Sequence, residues 1–215
     1  MTSAKIMAAG AIAAACIAGP AAAQDAGRWF VHAGPAVVQP DESAKMTAGG
    51  SPLAGAGVAI GSKWTAEAEV GYFVTPNIAL AAAAGYPPTF TVNAAGSIAG
   101  VGKIGEMTGG PAGLLVQYHF NREGALQPYV GAGASFLVVF DTKDAALSNL
   151  KAKSAVGTAL QVGANYWFSE RMGAFVDVKK AYVETTATGS LGGAPVRAKV
   201  KVDPLVTNFG VAWRF

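Results

Sequence analysis

The sequence predicts an all-β chain, an eight-stranded antiparallel transmembrane β-barrel of the bacterial outer-membrane type. Three observations carry that expectation. The chain ends on a period-two alternation that runs to its last residue, with Leu205, Thr207, Phe209, Val211, Trp213 and Phe215 on one face and Val206, Asn208, Gly210, Ala212 and Arg214 on the other. Such alternation marks a strand with two different environments, and an aromatic, apolar outer face suits lipid with its interfaces. The spacers between candidate strands alternate long and short from one end to the other, as external loops and periplasmic turns do. Finally, 52% of the 215 residues are hydrophobic and 28 are glycine. Past the N-terminus no apolar run is long enough for a spanning helix, and glycine costs a helix about 1 kcal/mol per interior site. Strands that curve around a narrow lumen use it readily.

The N-terminus reads as a signal peptide, 1–23. Lys5 supplies the positive start, residues 6–19 the apolar stretch, and Ala21, Ala22 and Ala23 the small-residue cleavage pattern before Gln24. The alternative, a lipoprotein lipidated on Cys16, has Ala13 three positions upstream where a larger aliphatic is usual. Cleavage removes the single cysteine, and with it disulfides and thiolate metal sites. The barrel then occupies 24–215 as one domain.

The first strand, 28–38, sets Trp29, Val31 and Ala33 against Phe30, His32 and Gly34. Pro40-Asp41 and the run from Thr47 to Pro52 read as loop, and Gly57 to Ile60 as either its rim or the next strand. The second strand is 64–74. Thr75-Pro76-Asn77 is a tight turn, and 78–85 is the third strand. A long glycine- and proline-bearing loop occupies 86–110, with 89–93 and 98–101 as strand extensions. The fourth strand, 112–120, alternates Leu114, Val116, Tyr118 and Phe120 with Leu115, Gln117 and His119. A short turn leads to the fifth, 127–140. Residues 141–154 read as polar loop, with local helix around 145–150 as one option. The sixth strand, 156–168, turns at 169–171 into the seventh, 173–186. Loop 187–195 precedes the eighth, 196–215. An even strand number leaves both ends in the periplasm.

Several strings taken in order resemble the OmpW family of outer-membrane proteins. They are Trp29-Phe30-Val31-His32-Ala33-Gly34 with Pro40-Asp41, Pro128 to Gly133, Phe175-Val176-Asp177-Val178-Lys179-Lys180-Ala181-Tyr182, and Asp203-Pro204 followed by Gly210 and Trp213-Arg214-Phe215. Each is short, but together they cover the mature chain at fitting separations. The resemblance implies a narrow, largely hydrophobic lumen that passes small apolar molecules, with lateral exit into the bilayer as one route. One departure is visible: members often carry a Pro-Pro-Thr step into the fourth strand, where this chain has Gly109-Gly110-Pro111-Ala112.

Lumen faces read as Gly, Ala, Gln, Asn and Leu with few charges. Leu115, Gln117 and Leu137 are the candidate lumen and gate positions, because an apolar constriction rejects hydrated ions and admits apolar solutes. His32 and His119 also fall on inward faces. Their sharp reading is a shared metal or general-base site, and their plain reading a hydrogen-bonded pair or two unrelated lumen residues. With no cysteine and no acidic motif nearby they are too few for a metal site, so no metal, cofactor or catalytic residue is expected, and the chain is not read as an enzyme. Asp177 and Lys179 share one face of the seventh strand as a structural salt bridge. Lys180 falls on the lipid face and must sit near an interface, snorkel or follow a bulge. Trp29, Tyr166, Phe168, Trp213 and Phe215 read as membrane-interface anchors.

A net charge of +3 with only 13% charged residues leaves no basic cluster of the kind nucleic acid requires. The partners expected are outer-membrane lipids and lipopolysaccharide, small apolar solutes, and the barrel-assembly machinery acting on the C-terminal strand. The alternative function is a structural or recognition barrel whose external loops bind a partner, phage or host surface without transport.

Overall fold

A computed structural model describes residues 28–215; the expected signal peptide lies outside them. Fifteen strands form two connected systems: β1 (Trp29–Gln39), β2 (Ser43–Ala48), β3 (Ser51–Pro52), β4 (Ala56–Ile60), β5 (Lys63–Phe73), β6 (Ile78–Gly85), β7 (Thr89–Gly96), β8 (Lys103–His119), β9 (Leu126–Asp144), β10 (Ser148–Ala152), β11 (Ala155–Trp167), β12 (Met172–Tyr182), β13 (Glu184–Leu191), β14 (Ala194–Lys201) and β15 (Leu205–Arg214). Eight of them, β1, β5, β6, β8, β9, β11, β12 and β15, pair antiparallel in that order around a ring. The ring closes where β15 returns to β1, with Val31 opposite Trp213 and Val38 opposite Val206. Closure removes every edge within the membrane, the condition for a sheet to exist in lipid.

Alternation separates the two faces cleanly. Leu80, Leu114, Val116, Leu160, Val162 and Val176 point outward and are each about half exposed, the pattern of a lipid-facing wall. Phe30, Ala79, Ala81, Leu115, Gln117 and Tyr129 point inward and are buried. Two glycines make room for the larger inward side chains: a Cβ at Gly71 would overlap the Phe30 ring, and one at Gly163 would overlap Tyr129 and Asp177.

Above the ring the chain departs from the sequence reading. The fourth and fifth strands are longer than expected, because β8 and β9 continue as a pair up to Gly105 opposite Asp144. The seventh and eighth strands are each split: β12 gives way to β13 after Tyr182, and β14 is separated from β15 by Val202, Asp203 and Pro204. The region read as loop at Thr47–Pro52 holds β2 and β3, and 187–195 belongs largely to the β13–β14 hairpin. The helix option at 145–150 fails, since Ser148–Ala152 is a strand paired with β13. These pieces make a second sheet, β10-β13-β14-β2-β3, that stands over one side of the barrel mouth. Its inner face, Met46, Val196, Ala198 and Val200, packs with Ile104, Leu147 and Leu150. That burial gives a segment with weak strand signals its order.

Candidate functional site

The lumen has two halves of opposite chemistry. The lower half, at the end of the short turns and of Trp29 and Phe215, is filled. At its base the Trp167 indole donates to Gln127 Oε1 at 3.0 Å, Arg122 lies over the Phe73 ring at 3.4 Å and Arg214 over the Trp167 ring at 4.3 Å. His119 stacks on Tyr129 with centroids 4.8 Å apart and donates through Nε2 to Gln117 Oε1 at 3.0 Å. His32 stacks on Phe175 at 4.4 Å.

A hydrogen-bonded layer crosses the barrel directly above. Gln117 Nε2 donates to Glu69 Oε1 at 2.9 Å and to Gln161 Oε1 at 2.8 Å. Gln161 Nε2 donates to Glu69 Oε2 at 3.1 Å and to Asp177 Oδ2 at 3.2 Å, and the Tyr129 hydroxyl donates to Asp177 at 3.1 Å. Lys179 completes the layer: its ammonium reaches Glu67 Oε1 at 2.7 Å, Asp177 Oδ1 at 2.8 Å and Glu69 Oε2 at 3.6 Å. Asn208 donates to Glu67 at 3.2 Å. Buried charge is tolerable only when paired and hydrogen-bonded in this way. The layer joins β5, β8, β9, β11, β12 and β15, so it ties six barrel staves together while closing the lumen.

Two sequence expectations are corrected here. The lumen does carry charge, because Glu67, Glu69, Asp177 and Lys179 are all buried within it. The histidines are not remote from acids, since His32 Nδ1 lies 3.3 Å from Glu69 Oε1. Glu67 and Glu69 sit in inward phase with Gly71 and Phe73 on the second strand, and only pairing across the barrel brings them to Lys179 and His32. One ligand atom each from His32, Glu69 and Asp177 lies within 4.8 Å of the others, the spacing of a metal triad. Their carboxylate oxygens, however, already accept from Lys179, Gln117, Gln161 and Tyr129, so the oxygens a cation would need are engaged by one ammonium and three neutral donors.

The upper half is an apolar basin of three spaces that share lining residues. The outermost, about 650 Å³ including its open mouth, is lined by Met46, Val92, Ile104, Leu147, Leu150 and Val200, among others. It shares Ile60, Met107 and Val202 with a space of about 450 Å³ below, where Val38, Phe90 and Leu137 form the walls. A third space, of about 360 Å³, shares Pro111 and Ser135 with that one and ends on Glu67 and Lys179. At the outer rim Lys103 donates to Glu106 at 2.8 Å, and that contact holds the Glu106 carboxyl below its usual range.

The barrel wall has a seam at the level of the middle space. β6 pairs with β8 as far as Ala84 opposite Ala112, and pairing resumes where the Gly109 N–H donates to the Pro88 carbonyl at 3.2 Å and Thr89 lies opposite Thr108. Gly110 and Pro111 therefore have no ladder partner on that side. A Cβ at Gly110 would come within 3.5 Å of Pro87 and 3.8 Å of Pro88, so Pro87-Pro88-Thr89 forms the opposite lip. Pro87, Pro88 and Pro111 have no N–H to leave unpaired against hydrocarbon. Both Gly110 and Pro111 line the middle space.

Of the residues singled out in the sequence, Gln117, His32, His119, Asp177 and Lys179 lie in the polar layer or directly beneath it, Leu115 just above it, and Leu137 in the middle space. Trp29, Tyr166, Phe168, Trp213 and Phe215 are exposed around the lower end of the barrel. Lys180 reaches the upper rim of the barrel, with its ammonium on Asp41 at 3.1 Å and on the Asp203 carbonyl at 2.7 Å. Glu67, Glu69, Tyr129, Gln161 and Asn208 were not foreseen as site residues.

Comparison with known proteins agrees with this architecture. The crystal structure of the outer membrane protein OprG from Pseudomonas aeruginosa superposes with a TM-score of 0.82 at 25% identity, over 88% of this chain and 96% of that one. Outer membrane protein AlkL of Ectopseudomonas oleovorans is 35% identical over 81% of this chain and 76% of its own. The dibenzothiophene metabolism operon protein PahQ of Pseudomonas aeruginosa is 30% identical over 93% of this chain and 94% of its own. Residues 25–215 match the OmpW family, and with its closed eight-stranded ring the chain belongs to that family of outer-membrane barrels.

Proposed function

We propose that the protein resides in the outer membrane, admits small apolar molecules from the cell exterior into the upper basin, and releases them sideways into the bilayer through the Gly110–Pro111 seam. The observation that carries this reading is the abrupt change of lumen chemistry. An apolar path descends from the mouth, meets a closed polar layer at Glu67 and Lys179, and touches the seam just above that layer. An apolar solute gains by leaving water for the basin, roughly 25 cal/mol for each Å² buried. It gains nothing by crossing the charged layer, whereas lipid beyond the seam is as apolar as the basin. Ions face the opposite balance, because nothing in the basin replaces their hydration. A relative named for a dibenzothiophene operon fits an apolar cargo class. The recognition alternative gains no comparable support, since β2 and β3 belong to the sheet over the basin.

The test is entry of a small apolar reporter into liposomes bearing the refolded chain, beside a hydrophilic reporter of similar size. Acceleration of the apolar reporter alone is expected. Acceleration of neither, or of both equally, would overturn the reading.

A further inference from the structure

The outer face of the second sheet carries a charge pattern that the transport reading does not use. In β14 the residues Val196, Ala198 and Val200 face the basin, so Arg197, Lys199 and Lys201 face out and are exposed. The ladder registers place neighbours beside them on that same face. Lys199 is directly opposite Lys45 of β2, Arg197 is opposite Thr47 and Lys201 opposite Ser43. On the other side Lys199 faces Thr186, Arg197 faces Thr188 and Lys201 faces Glu184. Beyond β13, Lys151 is opposite Thr188. Lys153 donates its backbone N–H to the Thr186 carbonyl at 3.1 Å, which sets it in the row of Lys199 and Lys45.

The result is two transverse rows, Lys153-Thr186-Lys199-Lys45 and Lys151-Thr188-Arg197-Thr47, on one flat surface. Neither these five cations nor Lys201, the sixth on the face, makes an ion pair among the described residues. Like charges placed directly opposite each other destabilise a sheet, and the Lys45–Lys199 pair does so with no anion beside it. The imbalance is local. The face holds six cations and one carboxylate, whereas the rest of the chain, ten cations against twelve carboxylates, is net negative. A surface built only for solubility would mix the two signs.

Its height above the bilayer fits one kind of anion. Tyr182, exposed at the top of β12, precedes Glu184 by two residues. Each further pair of residues lifts the chain by about 7 Å, so the two rows stand within roughly 20 Å of the lipid edge. Adjacent strands lie about 4.8 Å apart, which lets Lys45 and Lys199 bracket a single phosphate while hydroxyls of Thr47, Thr186 and Thr188 meet sugar oxygens. We propose that this face is a binding site for the phosphorylated saccharide headgroup of an outer-leaflet glycolipid. The glycolipid would be held beside the mouth, where it relieves the Lys45–Lys199 repulsion.

The test uses the full chain in neutral-lipid nanodiscs titrated with a diphosphorylated, acylated glucosamine-disaccharide lipid, beside the same lipid with its phosphates removed. Binding of the phosphorylated lipid alone, weakened by salt, is expected. Lys45→Gln/Lys199→Gln should lower affinity on the order of 30-fold, the effect of losing two cations at an anionic membrane surface. Lys151→Gln/Arg197→Gln should act similarly, and Lys103→Gln/Lys143→Gln, on the β8–β9 flank, should leave binding unchanged. The unfolding midpoint of Lys45→Gln/Lys199→Gln without lipid should equal or exceed that of the wild type, because a repelling pair is gone. Equal binding of the dephosphorylated lipid, wild-type binding by both face variants, or equally tight binding of soluble polyphosphate would overturn the proposal. So would loss of binding accompanied by lowered midpoints in both face variants, since that would make the rows structural.

Discussion

One pair of strands, β8 with β9, runs through both halves of the lumen and uses the same alternation for opposite ends. In the lower half its inward positions are Gln117, His119 and Tyr129, all fully buried and joined to polar neighbours. Near the outside they are Met107 and Leu137, which line the apolar basin, while Glu106 and Lys143 sit at the exposed rim 3.9 Å apart. A register shift between Thr108 and Gly109 falls within the apolar stretch, and Leu137, opposite Pro111, lies below it. Strand number fixes a barrel of this width, but inward polarity decides whether a given level is sealed or receptive. A hydrogen-bonded layer is rigid because each member is held by several others. An aliphatic wall has no such demand and can yield to a guest.

The largest expected effect comes from removing the cation at the centre of the sealed half. Lys179→Met keeps the side-chain length but leaves Glu67, Glu69 and Asp177 buried without their counter-charge. Breaking a buried pair from one side costs about 3–5 kcal/mol, and urea unfolding of the refolded barrel should show a loss of that size. Lys180→Met, next in sequence, gives the contrast. Its partner Asp41 is 78% exposed, so the loss should stay below about 1 kcal/mol. Equal losses at the two positions would mean that the lower layer is not the barrel's clamp.

A smaller effect, on transport rather than stability, should follow from closing the seam. Gly110→Val places a branched side chain where Pro87 and Pro88 already stand 3.5 and 3.8 Å from a Cβ. Entry of the apolar reporter should fall by about tenfold, equivalent to roughly 1.4 kcal/mol on the exit barrier, with the unfolding curve nearly unchanged. Undiminished entry would move the exit elsewhere in the wall.

The sealed and receptive halves were not equally legible in the sequence. Alternation alone placed His32, Leu115, Gln117, His119 and Leu137 on inward faces, because period two needs no partner strand. The layer itself depends on register across distant staves. Lys179 meets Glu67 at a separation of 112 residues, and nothing local in either strand announces the other. The upper sheet was missed for another reason. Its strands are rich in Ala, Ser, Thr, Gly and Lys, residues that also make loops, and burial of Met46, Val196 and Leu150 against Ile104 gives them their order. The Lys45–Lys199 juxtaposition followed the same pattern: two unremarkable lysines become a feature only through the β2–β14 ladder.

The smallest expected effect distinguishes members of the sealed half from one another. Gln117 bonds Glu69, Gln161 and His119, so Gln117→Leu would strand several buried partners at about 1–3 kcal/mol. His32 lies as deep, yet neither of its ring nitrogens has a well-aligned hydrogen-bond partner. What it does have is stacking on Phe175, at 11° between planes, and on Tyr129, at 25°. Glu69 would still accept from Gln117 and Gln161 without it. His32→Phe therefore keeps the contacts the ring makes and removes only polar atoms that are poorly used, and its unfolding free energy should stay within about 1 kcal/mol of the wild type. A loss as large as that of Gln117→Leu would show that the 3.3 Å approach of His32 to Glu69 is an ion pair the barrel depends on, and that the sealed half rests on two cations rather than one.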